Sequence, residues 1–386
     1  MLAAAPRETA ETVAALSIGK ISLVHFRNYD DISLKLETAP IVLTGPNGGG
    51  KTNLLEAISL LVPGRGLRRA QLSELQNRQA SAPWAVAANM RASSGDLQIG
   101  TGRDPEEEDG ERRIVQIDGR AARSQNALGE YVAMAWITPE MDRILAEGPG
   151  ARRKWLDRLA YSFDPAHGGR VSRYEKAMRE RMRLLREGPA DAVWLSALED
   201  EMARTGVAIA AARRQLIRQL RTAIAETEST FPQADLALKG MAEEALEDQP
   251  ALPIEDMMRA DLARDRGEDA QSGSCAAGPH RSDLSVTHRA RQCPAELCST
   301  GEQKALVIAI MLAYVRMLAE TRKMAPLFLL DDIAAHLDDT RRAALFEEIR
   351  ALGVQAWLTG TDTEPFASLL PYAQHGAVAN GSVSWS

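Results

Sequence analysis

The residues best suited to chemistry are Gly45-Pro46-Asn47-Gly48-Gly49-Gly50-Lys51-Thr52. They fit G-x-x-x-x-G-K-[ST], the phosphate-binding P-loop. The glycines let backbone N–H groups converge on phosphate oxygens, and the following helix offers its positive end. Lys51 would reach the β- and γ-phosphates of ATP, and Thr52 would ligate Mg²⁺. A second string, Leu327-Phe328-Leu329-Leu330-Asp331-Asp332, is an apolar run ending in two carboxylates. This is what a Walker B strand needs: Asp331 to hold Mg²⁺ and Asp332 to polarise the attacking water. Lys51 and Asp332 are therefore the candidate catalytic residues.

The elements that must position these groups can be read from periodicity. Ile41-Val42-Leu43-Thr44 is a short apolar strand that stops at Gly45, and Leu54, Leu55, Ile58 and Leu61 recur at helical spacing after the loop. The order is strand, Gly-rich loop, helix. Further strands are predicted over 18–36 and 84–118, with turns at Gly95 and Asp118-Gly119, and over Val132 to Ile137. From Ala151 to about Thr230 alanine, leucine and arginine dominate, which favours helix. The stretch 243–277 is acidic, then small and polar, and reads as a loosely ordered connection. From Gly278 the pattern alternates again: helix 302–319, strand Leu327 to Leu330, helix 339–352, strand Val354 to Leu358. The predicted class is α/β: a P-loop NTPase head split in sequence by an inserted helical arm domain. The expected boundaries are an N-terminal extension over 1–17, head over 18–148, arm over 149–277 and head again over 278–386. No internal repeat is visible.

Composition narrows the class. The chain has 386 residues, 45% hydrophobic and 26% charged, which excludes a wholly disordered or fibrous protein. The longest uncharged apolar run, Ala305 to Val315, is too short to span a bilayer. Residues 1–15 carry Arg7, Glu8 and Glu11 and lack the apolar core of a signal peptide, so a cytoplasmic protein with no membrane partner is expected. Three cysteines without metal-type spacing argue against a disulfide framework. The net charge of -7 means that any nucleic-acid contact must use a local basic patch.

Ser299-Thr300-Gly301-Glu302-Gln303 opens the helix at 302–319. Standing shortly before the Walker B strand, it resembles the signature motif of ABC-type ATPases, where the serine hydroxyl and helix N-terminus bind the γ-phosphate held by the other subunit. That resemblance makes Ser299, Gly301 and Gln303 candidate ATP contacts. Ala335-His336-Leu337-Asp338 resembles the D-loop of the same class. Thr359-Gly360-Thr361-Asp362 lies where transport ATPases carry a histidine, with Thr361 as the candidate substitute. More specific strings run in one order along the chain: Phe26-Arg27-Asn28-Tyr29, Gly64-Arg65-Gly66-Leu67-Arg68, Thr138-Pro139-Glu140, Pro149-Gly150-Ala151-Arg152-Arg153-Lys154-Trp155-Leu156-Asp157 and Gly278-Pro279-His280-Arg281-Ser282-Asp283-Leu284. Together they resemble the RecF family of bacterial recombination mediators, within the SMC-like group of ABC ATPases. Departures are Cys298 before the signature serine, Leu67 where a bulkier aromatic is common, and the N-terminal extension.

The resemblance implies an ABC-ATPase head with a short helical arm, ATP and Mg²⁺ as cofactors and an ATP-dependent head-to-tail homodimer. It also implies DNA binding at duplex–single-strand gap junctions, work with RecR and RecO, and slow ATP hydrolysis. Asp332 is one methylene shorter than the glutamate of fast ABC motors, which agrees with slow turnover. Two patches could meet DNA. One is Arg65, Arg68 and Arg69; the other is the arm, with Arg179, Arg181 and Arg183, where basic residues outnumber acidic ones. His280 and Arg281 read as structural residues, and the scattered tryptophans read as core. Two other classes fit less well. The ATPase subunit of an ABC transporter is disfavoured by the long stretch 53–298 between P-loop and signature and by the missing histidine. A kinase would not need Ser299-x-Gly301, and a nuclease would need a further carboxylate-rich metal site.

Overall fold

A computed structural model describes residues 16–92, 95–105, 112–188, 191–227 and 229–386. Of the expected extension over 1–17, residues 1–15 lie outside this set. The central sheet has six strands, in the order Ser382–Trp385, Gln374–Ala379, Ile41–Thr44, Ala356–Gly360, Leu327–Leu330 and Met134–Ile137. All neighbouring pairs are parallel except the hairpin at the Ser382–Trp385 edge. Parallel strands covered on both faces read as continuous apolar runs. Accordingly Ile41–Thr44, Leu327–Leu330 and Met134–Ile137 are buried at every residue. The carboxyl ends of these strands lie at one edge, where open α/β sheets bind ligands. The terminal hairpin over 374–385 goes beyond the elements expected from the sequence.

A second, antiparallel sheet runs in the order Tyr29–Lys35, Ser17–Phe26, Ala85–Ala92, Gly95–Arg103, Arg113–Ile117 and Arg120–Ala121. Alternate residues of Ala85–Ala92 are buried, as expected for a sheet with one covered face. The expected turns occur at Gly95, at φ 115°, and at Asp118-Gly119, at φ 49° and 73°.

Long helices follow the head strands: Pro149–Phe163, His167–Glu187 and Ala192–Glu226. The 35-residue helix Ala192–Glu226 serves two apolar clusters. Its Leu216, Ile217, Leu220 and Ile224 join the main core, whereas Met202, Ala203, Val207 and Ala210 pack in a second cluster with Tyr174, Ile254, Met258 and Leu262. The inserted segment is not wholly helical, because Ala234–Lys239 pairs antiparallel with Asp283–His288.

Two expectations are corrected here. The stretch 243–277 is not a loose connection; most of it falls in helices Met241–Ala245, Ala251–Arg264 and Arg266–Ser272. Ile254, Met258 and Leu262 are four residues apart and fully buried, so one helical face is apolar despite the acidic composition. Arg181 is not a surface residue. It is completely buried, donating to Glu199 at 2.9 Å, Asp269 at 2.7 Å and the Leu262 carbonyl at 2.7 Å. A guanidinium so enclosed cannot reach a DNA phosphate.

The Pro149–Asp157 and Gly278–Leu284 strings form one polar strap between helix Pro149–Phe163 and strand Asp283–His288. Arg152 holds the Asp283 carboxylate with both arms, at 2.8 and 2.7 Å. Arg153 donates to the Ser282 carbonyl at 2.6 Å. Buried Arg213 ties Asp157, at 2.8 and 2.9 Å, to the Pro279 carbonyl and the Ser282 hydroxyl. His280 bridges the Tyr174 hydroxyl, at 2.6 Å, and the Cys275 carbonyl, at 3.0 Å. Burial alone would raise the Asp157 carboxyl, but the His167 hydrogen bond and the Arg213 charge outweigh it and hold it at about 2. A depressed carboxyl stabilises the fold above its unfolded value of 3.8, and that contribution is lost as pH falls from there through about 2. Stability measured by urea unfolding should therefore drop by about 2 kcal/mol over that interval from this group. The Asp157→Asn protein, weaker at neutral pH, should lack that part of the acid slope; identical slopes in both proteins would contradict the assignment.

Candidate nucleotide site

The P-loop joins strand Ile41–Thr44 to helix Lys51–Ser59. Its glycines are demanded by space and by backbone angle. Gly45 has φ 147°, and a Cβ there would lie 2.1 Å from the Val378 carbonyl oxygen. Gly50 has φ 120°, and a Cβ would lie 2.7 Å from both the Asn28 amide and the Tyr29 hydroxyl. Those two residues hold the loop: Asn28 Nδ2 donates to the Gly49 carbonyl at 3.1 Å and Tyr29 OH to the Gly50 carbonyl at 3.1 Å. Beside them Arg27 clamps buried Glu56 of the P-loop helix at 2.8 and 2.9 Å. The Phe26–Tyr29 string is thus the mount of the P-loop.

Lys51 Nζ donates to the Gly45 and Pro46 carbonyls, at 2.6 and 3.0 Å. Burial lowers its pKa, while Asp332, Asp331 and Asp362 pull the other way. The Thr52 hydroxyl donates to Asp331 Oδ1 at 2.9 Å, and the Thr359 hydroxyl donates to the same oxygen at 2.8 Å. Burial raises Asp331, opposed by these two hydroxyls and by Arg68. Asp332 sits at φ 49°, a left-handed angle that aspartate tolerates better than most residues. Its backbone N–H donates to Thr359 Oγ1 at 2.8 Å, which fixes the turn. One cleft is lined by Asn47, Gly48, Gly50, Lys51, Thr52, Asn53, Arg68, Asp331, Asp332 and Thr359.

Sequence reasoning therefore reached the loop and both carboxylates but missed Thr359, Asn53 and the loop mount. Thr361 spends its hydrogen bonds elsewhere: its carbonyl accepts from Gly45 N at 3.1 Å and its hydroxyl donates to Asp362 at 2.8 Å. Arg68 faces the cleft, donating to Asn53 Oδ1 at 2.9 Å, so the expected patch of Arg65, Arg68 and Arg69 is not one uniform surface. Arg65 and Arg69 are exposed.

The signature residues lie outside that cleft. Ser299 is exposed at the start of helix Thr300–Arg322, with its N–H and hydroxyl both donating to Glu302, at 3.0 and 2.9 Å. Gly301 is exposed beside it. Gln303 is corrected: it is buried and its amide donates to the Cys298 carbonyl at 2.9 Å, so it shapes the loop rather than facing outward. Asp338 of the D-loop string caps helix Asp339–Leu352 through Arg341 N at 2.8 Å. On the arm, Arg179 pairs with Glu175 and Arg183 with Glu180 and Glu187, all on exposed faces.

The oxygen donors of Thr52 and Asp331 converge, and hard oxygen donors suit Mg²⁺. Among the described residues no helix is long and apolar enough to cross a membrane.

Comparison with known proteins bears on the family and the fold. The sequence profile of the RecF/RecN/SMC N terminal domain family matches residues 17–368. The chain is 46% identical over 369 residues to the DNA replication and repair protein RecF of Allorhizobium ampelinum, covering 95% of this chain and 98% of that one. It is 48% identical over 373 residues to the RecF protein of Mesorhizobium japonicum, covering 96% and 98%. Among solved structures, that of the recombination mediator protein RecF-ATP in the RecFOR pathway matches with a TM-score of 0.85 at 22% identity, covering 98% of this chain and 100% of that one. An Smc head domain from Pyrococcus furiosus matches at 0.51 with 16% identity, covering 96% of each chain. The ABC-type α/β head expected from the motifs is therefore the fold, and the chain belongs to the RecF family of DNA replication and repair proteins, within the RecF/RecN/SMC group.

Proposed function

We propose that this chain is an ATP-dependent DNA-binding protein of recombinational repair, using ATP as a switch. The observation that carries the reading is the split between two half-sites. Lys51, Thr52, Asp331 and Asp332 share one cleft, while Ser299 and Gly301 stand exposed outside it. Two chains related by a two-fold axis would bring each P-loop against the other's signature and bury two nucleotides. Thr52 and Asp331 would hold Mg²⁺, which neutralises charge on the β- and γ-phosphates. Asp332 would orient the attacking water from its fixed turn. The ATP-bound dimer would hold gapped DNA at a duplex–single-strand junction and, with RecR and RecO, promote loading of the recombinase. The kinship with DNA replication and repair proteins and the likeness to a RecF-ATP structure support this reading. The transporter alternative has no comparable support.

Asp332→Asn tests it. The variant keeps the backbone contact to Thr359 and the phosphate-binding loop but loses the carboxylate that orients water. It should bind ATP normally, turn over at least about a hundredfold more slowly, and accumulate as a dimer on DNA. Unchanged turnover would show that another group positions the water.

A further inference from the structure

A second cavity, of about 410 Å³, opens beside the head between the segment Leu67–Arg69, the end of strand Met134–Ile137 and helix Pro149–Phe163. That is within the size range of small-ligand sites. Of its four lining cations, Arg68 is held by Glu56 and Asn53. Among the described residues, the other three, Arg69, Lys154 and Arg158, have no carboxylate partner. Most other arginines of the 152–186 stretch are committed: Arg152 to Asp283, Arg170 to Asp164, Arg181 to Glu199 and Asp269. The Arg158 guanidinium lies over the Trp136 ring, 3.2 Å from its centroid. Burial and then the Arg69 charge push Arg158 down to about 9, the mark of a desolvated cation beside a like charge. Trp155 also lines the cavity and is 4% exposed, and its indole N–H has no acceptor. Gly150 and Ala151, in the first turn of the 15-residue helix, complete this side; that turn has no side-chain cap and no acidic residue.

Every polar lining group named so far is a donor or a positive end, so the fitting ligand is acceptor-only and anionic. Two carboxylates, Glu140 and Glu147, stand exposed among the lining residues. They would repel a multiply charged nucleotide or free phosphate more than a singly charged diester. We infer that this cavity is a phosphodiester-binding site, where Arg69, Lys154 and Arg158 take a backbone phosphate of a nucleic-acid strand. The choice of a strand rests on the DNA-binding reading above; the phosphate chemistry does not.

The double variant Arg69→Asn with Lys154→Gln tests it without touching the core. Both residues are exposed, and asparagine suits the left-handed Arg69 angle of φ 55°. Oligo(dT) and thymidine monophosphate are titrated against both proteins at several salt concentrations, with ATP binding followed in parallel. The variant should bind ATP as wild type does and bind oligo(dT) about tenfold more weakly, with the log–log salt slope smaller by about 0.7, one phosphate's worth on a single strand. Equal affinity and slope in the two proteins would overturn the site. Thymidine monophosphate binding wild type as tightly as oligo(dT), with the same loss in the variant, would overturn the strand and leave a free-nucleotide site. If wild type with ATP fails to bind oligo(dT) at all, the DNA reading falls. Thymidine monophosphate binding unaffected by the variant would then overturn the cavity as well.

Discussion

Lys51→Ala protein is expected to lose ATP binding while remaining folded. Lys51 is nearly buried and is the P-loop's own cation, within the field of Asp331, Asp332 and Asp362. Without it, a tri- or tetra-anionic nucleotide would meet three carboxylates with Arg68 as the one cation left in the cleft lining to offset them. Removing one partner of a desolvated charge pair costs about 2–5 kcal/mol, so affinity should fall roughly a hundredfold or more. The substitution also deletes two hydrogen bonds to the Gly45 and Pro46 carbonyls, which lie at the surface of the loop and can be taken up by water. The unfolding midpoint should therefore hardly move. Lys51→Arg should keep some binding and lose turnover, because a planar fork replaces a compact point charge. Fluorescent-nucleotide titration checks both. Normal affinity in Lys51→Ala would end the P-loop assignment.

Arg181→Ala should destabilise the fold by about 3–5 kcal/mol, the usual cost of breaking a buried ion network from one side. Arg181 joins four helices: its own, His167–Glu187; Ala192–Glu226 through Glu199; Arg266–Ser272 through Asp269; and Ala251–Arg264 through the Leu262 carbonyl. Glu199 keeps a second partner in Arg266, at 2.5 Å. Among the described residues Asp269 keeps only the Ala276 N–H as a donor, at 3.1 Å, so its 1%-exposed carboxylate would carry most of the penalty. Urea unfolding should show the loss, and nucleotide binding should survive because the P-loop belongs to the other apolar cluster. A fully stable variant with weakened DNA binding would restore Arg181 as a DNA contact and contradict its burial.

What the sequence disclosed was what is contiguous. The P-loop and the Leu327–Asp332 string each carry their chemistry within a few residues, and each sits at the end of a parallel strand whose apolar run is its own signal. The groups that were missed act across the chain. Thr359 meets Asp331 at a separation of 28 residues, and Asn28 meets Gly49 at a separation of 21. Arg181 could have been suspected, since it falls four residues after Ala177 and seven after Tyr174 on a buried face. A count of basic residues treats all arginines as surface charge and hides such a position. The 251–264 helix was overlooked for the converse reason. Its Ile254, Met258 and Leu262 spacing is helical, but abundant acidic residues on the other face masked it. The Gly278–Asp283 string carried a family resemblance without a visible role, because its partners Arg152, Arg153 and Arg213 come from two distant helices.

In the proposed dimer each ATP is closed by the partner's signature. Ser299→Arg would place bulk and a mobile cation at the exposed start of helix Thr300–Arg322, away from its own nucleotide cleft. The monomer should still bind ATP, yet fail to associate. Lys51→Ala should also fail, from the other half-site. Mixed together, the two proteins can rebuild one intact composite site, from the Ser299→Arg chain's P-loop and the Lys51→Ala chain's signature. Light scattering with ATP should then show association in the mixture and in neither protein alone. Ser299→Arg protein that dimerises on ATP as well as wild type would contradict the trans arrangement.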